Sequence, residues 1–169
     1  MKKFLLFILI STGWGAAAQD PQFSQYYQAP LYLNPGFAGI TPQQRLVLNH
    51  RVQWPNLPQA FSTYAFSYDI FINELRSGIG FLVTTDKMGS AGWRTTNASL
   101  LYSYKVKLSE KVIFSPGLSF SYGTNGLDRS KLVMGDGLEY DGISLDPELN
   151  KLGRQNYFDF GSGFLVYTK

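Results

Sequence analysis

The chain has no cysteine and a single histidine. Without thiols there are neither disulfide staples nor thiolate metal ligands. With His50 as the one imidazole, a His-activated serine has no second chance to find its base, and a zinc-type cluster of histidines is absent. No G-x-S-x-G turn and no glycine-rich phosphate loop occurs. Charge is scarce as well, at 16% of residues, equal to the aromatic share. The formal net charge is +3, but Lys2 and Lys3 belong to the leader described next. What remains is close to neutral, with no basic patch to suggest nucleic acid. No apolar run approaches the ~20 residues of a membrane-crossing helix.

What is present begins with an export signal. Met1-Lys2-Lys3 is a positive n-region, residues 4–10 an apolar stretch, and Ala16-Ala17-Ala18 a small-residue cleavage site. Ala16 and Ala18 frame a cut that leaves Gln19 first in the mature chain. The apolar stretch is too short to serve as an uncleaved anchor, and no lipobox cysteine follows it.

Behind the leader, apolar and polar side chains alternate in segments of strand length. In 45–54, Leu46, Leu48, His50, Val52 and Trp54 share one face; Arg45, Asn49, Arg51 and Gln53 share the other. Successive side chains of a strand point to opposite sides, so one side is greasy and one wet. Segments 62–72, 77–86, 95–107, 111–123 and 157–168 repeat the pattern. A tilted strand of about 9–11 residues crosses the hydrocarbon of a bilayer. The fold class is therefore all-β, an antiparallel transmembrane outer-membrane β-barrel, here about six strands of a larger one. A soluble sandwich is the competing architecture, but Tyr64, Phe66, Tyr68, Tyr102 and Tyr104 make a heavily aromatic face for a small core. Gly and Ser crowd the wet face (Gly78, Gly80, Gly117, Ser119, Gly161, Gly163), leaving room inside a wall around a lumen or plug. Trp54, Phe71, Trp93, Tyr157 and Tyr167, near strand ends, read as interfacial girdles.

Gaps 55–61, 87–94 and 124–156 are long and gaps 73–76 and 108–110 short. Barrels keep short turns on the periplasmic side, which places the N-terminus there and the long connections outside. Pro116 with Gly117 is expected to mark a bulge in the fifth segment. About six spans leave two open edges, which cannot face lipid, so the barrel is expected to continue beyond Lys169.

Asp20-Pro21-Gln22-Phe23-Ser24-Gln25-Tyr26, then Pro30-Leu31-Tyr32-Leu33-Asn34-Pro35-Gly36-Phe37-Ala38-Gly39, resembles the opening of the PorP/SprF family. Phe158-Asp159-Phe160-Gly161-Ser162-Gly163 is also similar. Ala29 and Gly36 stand where members often have Asn and Ala. The resemblance implies an outer-membrane component of type IX secretion and its gliding machinery. It would be non-enzymatic, without cofactors, and would help export or attach an adhesin-like surface cargo. Its partners would be outer-membrane lipid, the periplasmic ring and the cargo; a passive porin-like channel is the alternative. The organisation expected is leader 1–18, a Pro/Tyr-rich lead-in or plug 19–43, and the first part of a barrel 44–169. From its residues alone, the lead-in either plugs the lumen, docks a periplasmic partner or lies as an ordered tail against the barrel base. Asn34-Pro35-Gly36 suits a type II turn.

Among candidate functional residues, the 124–156 connection carries half of the chain's 12 acids. Asp136, Glu139, Asp141, Asp146 and Glu148 make it a candidate partner-binding loop. Asp136, Glu139 and Asp141 also offer oxygen ligands to calcium, although the spacing is not that of an EF-hand. Arg45, Arg51, Lys105 and Lys107 on the wet face either set ion preference or pair with Asp69 and Asp159 across the lumen. Asn97-Ala98-Ser99 matches a glycosylation sequon by chance, inside a strand.

Overall fold

The alternating segments pair in chain order into one antiparallel sheet. The computed structural model describes residues 25–56, 60–89, 92–127 and 154–168. Its strands are β1 (Arg45–Gln53), β2 (Phe61–Ile72), β3 (Ser77–Met88), β4 (Trp93–Tyr104), β5 (Val106–Lys107), β6 (Val112–Leu127) and β7 (Gln155–Thr168). β5 continues β4 beyond Lys105, so the spans are those anticipated, with ends shifted by a few residues. The order is β1-β2-β3-β4-β6 with β7 beside β6, and the sheet is open, with β1 and β7 as its edges. In a bilayer neither edge can face lipid unpaired, because exposed backbone groups in hydrocarbon cost roughly several kcal/mol each.

Register turns the alternation into rows that run across the wall. On the outward side Leu48, Phe66, Val83, Ala98, Tyr122 and Phe158 are successive partners. Leu46, Tyr68, Phe81, Leu100, Phe120 and Phe160 form the next row. Phe120 packs against both Phe158 and Phe160, at ring separations of 5.8 and 5.0 Å. Yet Leu48 is 72% and Phe160 75% exposed. An apolar face this continuous is not left to water. From Val112 to Tyr122 it extends roughly 33 Å along β6 at ~3.3 Å per residue. At a tilt of about 40° that is roughly 25 Å along a membrane normal, the height of the lipid band of a barrel.

The opposite face is small and polar, with Thr63, Ser67, Asp69, Ser103 and Ser115 buried. Nitroxide labels compare the two faces cleanly, because residues 1–169 contain no cysteine to compete with an introduced one. In the full-length protein in vesicles, a label at Leu100 is expected to be accessible to dissolved oxygen. One at Ser99 is expected to be accessible to a water-soluble nickel chelate. Equal nickel accessibility at both positions would overturn the assignment of faces.

Two expectations are corrected by the register. Pro116 makes no bulge: β6 stays in one register with β4 from Ser103–Gly117 to Trp93–Leu127, the same register holds for β5, and Pro116 pairs directly with Phe164 on β7. Assigned β4–β6 pairing lapses only between Ser103–Gly117 and Val106–Phe114, across from the proline, while on β4's other side the Lys105 N–H carries the β3 pairing one step further, to Arg76 O at 2.8 Å. Of the girdle aromatics, Phe71, Trp93, Tyr157 and Tyr167 fall on the inward register. Phe71 faces Gly78 in the row beneath the N-terminal segment, Trp93 and Tyr157 line the inner concavity, and Tyr167 pairs with Ile113. Aromatic type alone does not choose a face; strict alternation along the strand does. Trp54 is exposed and packs edge-on against Phe61.

Candidate functional site, a segment seated on the polar face

Residues 25–44 form no strand and instead lie across the inward side of the sheet. Proline dictates their local form. Pro30 opens the helical turn Pro30–Leu33 and Pro35 the 3-10 turn Pro35–Phe37, each at a first position where its fixed φ is favourable and its lost N–H is not missed. Asn34 caps the second turn, accepting the Gly36 N–H at 2.8 Å. Its amide nitrogen donates to Phe164 O at 3.1 Å, tying the segment to β7. The expected type II turn is therefore not formed. Positive φ falls on Gly39, at +60°, and not on Gly36. Gly36 is required for space: a Cβ there would lie 2.7 Å from Ser115 O.

The wall is shaped to receive this backbone. Gly78, Ser103, Gly117 and Gly163 are partners in one inward row across β3, β4, β6 and β7. A Cβ on Gly78 would collide with the Ala38 carbonyl, and one on Gly117 would lie 2.5 Å from Gly36 N. Backbone thus rests on backbone, and polar groups bordering the row bind it. Ser103 Oγ donates to Ala38 O at 2.6 Å and Ser115 Oγ to Gly36 O at 2.7 Å. Lys105 Nζ donates to Gly36 O, Ala38 O and Ser115 Oγ at 3.1, 2.8 and 2.7 Å, so all three ammonium protons have acceptors. On the other flank Asp69 accepts the Gly39 N–H at 2.8 Å and the Arg45 guanidinium at 2.8 and 3.1 Å. Arg45 also reaches Phe37 O at 3.3 Å. Ala29, Leu31 and Ala38 complete the seat by packing with Ala65, Leu82 and Leu101, the buried apolar cluster.

The segment spans the wall from Asn49, whose Nδ2 donates to Gln28 O, down to Ser115 near the short-turn end. Toward the long connections the inner face stays open as a concavity of about 570 Å³ lined by Leu33, Asp86, Trp93, Asn97, Tyr157 and Asp159. Tyr157 Oη donates to Asn97 Oδ1 at 2.6 Å and Ser99 hydrogen-bonds Ser121 at 2.7 Å within it.

The candidate wet-face charges separate into two groups. Arg45, Asp69 and Lys105 converge on residues 36–39, and the Arg45–Asp69 pair joins neighbouring strands instead of crossing the lumen. Lys105 meets carbonyls, not Asp69 or Asp159. Arg51 sits at an inward position of the edge strand β1, Lys107 is exposed in β5, and Asp159 is exposed in the concavity. Ser103 and Ser115 are the binding residues that sequence reasoning passed over; their place on the small, wet face was the available signal. Ala16, Ala18, Gln19, and the loop acids Asp136, Glu139, Asp141, Asp146 and Glu148, lie outside the described residues. His50 stacks on Tyr64 on the outward face, at a ring separation of 4.3 Å. Among the described residues no group of His, Asp and Glu is arranged to hold a metal ion.

Comparison with known proteins adds one match. A family model described as type IX secretion system membrane protein PorP/SprF covers residues 15–169. No curated protein and no solved structure matches the chain.

Proposed function

This chain belongs to the PorP/SprF family of type IX secretion system membrane proteins, and on that premise we propose that it is a non-enzymatic anchor and docking component in the outer membrane. In this reading it helps export or attach an adhesin-like surface cargo. The strands hold it in lipid, the short-turn end meets the periplasmic ring, and the long connections, including 124–156, meet cargo. Residues 25–44 act as a plug.

The observation that carries the reading is the seat of residues 34–39. A conduit needs its polar face wet, whereas here Asp69, Ser103, Lys105 and Ser115 are committed to backbone groups of the chain itself. A wall built this way favours fixed geometry over passive conduction.

Deleting the full-length gene is expected to leave cargo inside the cell or released unattached, assayed by surface labelling of intact cells. Normal display in the deletion strain would count against the proposal. Planar-bilayer recording of the full-length protein separates the channel alternative: the plugged form is expected to pass no steady current, and sustained conductance would favour a pore.

A further inference from the structure

One outward row departs from the apolar pattern. Next to the Leu48–Phe158 row, toward the long connections, comes a row of polar groups: His50, Tyr64, Thr85, Thr96, Thr124 and Asn156. Beyond it Ser62, Lys87, Arg94 and Gly126 are successive partners, and Arg154 stands beside Gly126. Lys87, Arg94 and Arg154 are all exposed. A Cβ on Gly126 would meet nothing nearer than Arg154 atoms at 3.9 Å, so the glycine leaves an open notch between Arg94 on β4 and Arg154, just ahead of β7.

This arrangement is electrostatically unfavourable on its own. Lys87 and Arg94 are direct cross-strand partners on one face, where like charges repel. No Asp or Glu occupies an outward position on any described strand; Asp69, Asp86 and Asp159 all face inward. Among the described residues, the compensation within reach is the Tyr64 ring, 5.9 Å from Lys87 Nζ. An anion held between the three cations would remove the repulsion. The position of the row determines which anion fits: it borders the band that meets hydrocarbon, at headgroup depth, and hydroxyls and an amide lie between the cations and that band.

We propose that Lys87, Arg94 and Arg154 form a binding site for the phosphate groups of a lipid headgroup, with the hydroxyl row below them contacting its polar body. Since this end of the wall carries the long connections, the occupant is a phosphorylated glycolipid of the outer leaflet. Arginine suits the role because its planar fork pairs with phosphate oxygens two at a time. The site rests on the outward face meeting lipid and is independent of cargo. A failure here therefore leaves the secretion reading standing, and the reverse also holds.

The test uses the full-length protein in nanodiscs of phosphatidylcholine doped with lipid A, with dephosphorylated lipid A, or with phosphatidylglycerol. Lipid carried through detergent extraction is counted by native mass spectrometry. Lipid A is expected to be retained over both other lipids. With about 1 kcal/mol per basic residue near a charged surface, each neutralisation (K87Q, R94Q or R154Q) is expected to weaken retention roughly fivefold. Paired substitutions R76Q and K111Q, in the short turns at the other end, are expected to leave it unchanged. R94K with R154K keeps the charge and is expected to lose less than the glutamine pair. Equal retention of dephosphorylated lipid A, a wild-type ratio in the triple glutamine variant, or preference for phosphatidylglycerol would each overturn the assignment. The comparison among lipids needs no variant, so it stands even if a variant folds poorly.

Discussion

Asp69→Ala is expected to be the most damaging single truncation on the inner face. The carboxylate is 1% exposed and joins three elements: β2, which carries it, the Arg45 guanidinium at the start of β1, and the Gly39 N–H of the seated segment. Removing it strands a guanidinium that is 22% exposed and leaves a buried N–H without an acceptor. Breaking a buried pair from one side costs about 3–5 kcal/mol. Arg45 keeps some water and its bond to Phe37 O, which places the loss near 3 kcal/mol, the lower end of that range. Replacing both partners with apolar groups, Arg45→Met with Asp69→Leu, is expected to cost less than Asp69→Ala, because no charge is then left uncompensated. Urea titration of the full-length protein in vesicles, followed by tryptophan fluorescence, measures both. A midpoint for Asp69→Ala within error of wild type would show that the segment is held by something else.

The second large effect needs only one methyl group. In Gly78→Ala the added carbon would meet the Ala38 carbonyl and lie 2.8 Å from Gly39 N. Both obstacles are main chain, so no rotamer change relieves the contact. Either the segment lifts or β3 shifts, and overpacking of this kind costs about 1–3 kcal/mol. Spin labels at Tyr27 and Arg51 report which occurs, since Gln28 is held beside Asn49. Pulsed electron resonance on the full-length protein is expected to give one narrow, short distance for wild type and a broad, longer distribution for Gly78→Ala. Gly126→Ala serves as the matched control, because its new carbon makes ordinary contacts at 3.9 Å or more. Overlapping distributions for wild type and Gly78→Ala would sink the account of the glycine row as a seat. Detachment in both alanine variants would show that loss of a strand glycine, not the clash, is responsible.

Much of this architecture is carried by local sequence. Strict alternation in 45–54 and 95–107 located strands and sorted Leu100 from Ser99, because the side-chain period of a strand is a local property. The accumulation of Gly78, Gly80, Gly117, Gly161 and Gly163 on the wet face signalled room for something within the wall. Residue type alone misleads where neighbouring strands decide its role. Pro116 suggests a bulge because proline lacks a donor, but the register with β7, and with β4 and β5 on the other side, runs past it unshifted. Gly36 suggests positive φ, because Asn-Pro-Gly often makes a type II turn. Its real constraint is a carbonyl from β6, far away in sequence. The chemistry of Trp93 and Tyr157 suits the lipid boundary, while their parity within β4 and β7 turns them inward.

Period and composition alone were enough to establish the strands and the two unlike faces, since each depends on residues close together in the chain. Which side chains meet was decided by pairing register, and register depends on turns, edges and distant partners. Gly78, Ser103, Gly117 and Gly163 become one seat, and Lys87, Arg94 and Arg154 one cationic row, only when separate strands are laid side by side. The placement of residues 25–44 was decided in the same way. Their prolines forbid a long helix or a central strand, but only the matching of their carbonyls to Ser103, Lys105 and Ser115, and of the Gly39 N–H to Asp69, puts them on the inner wall.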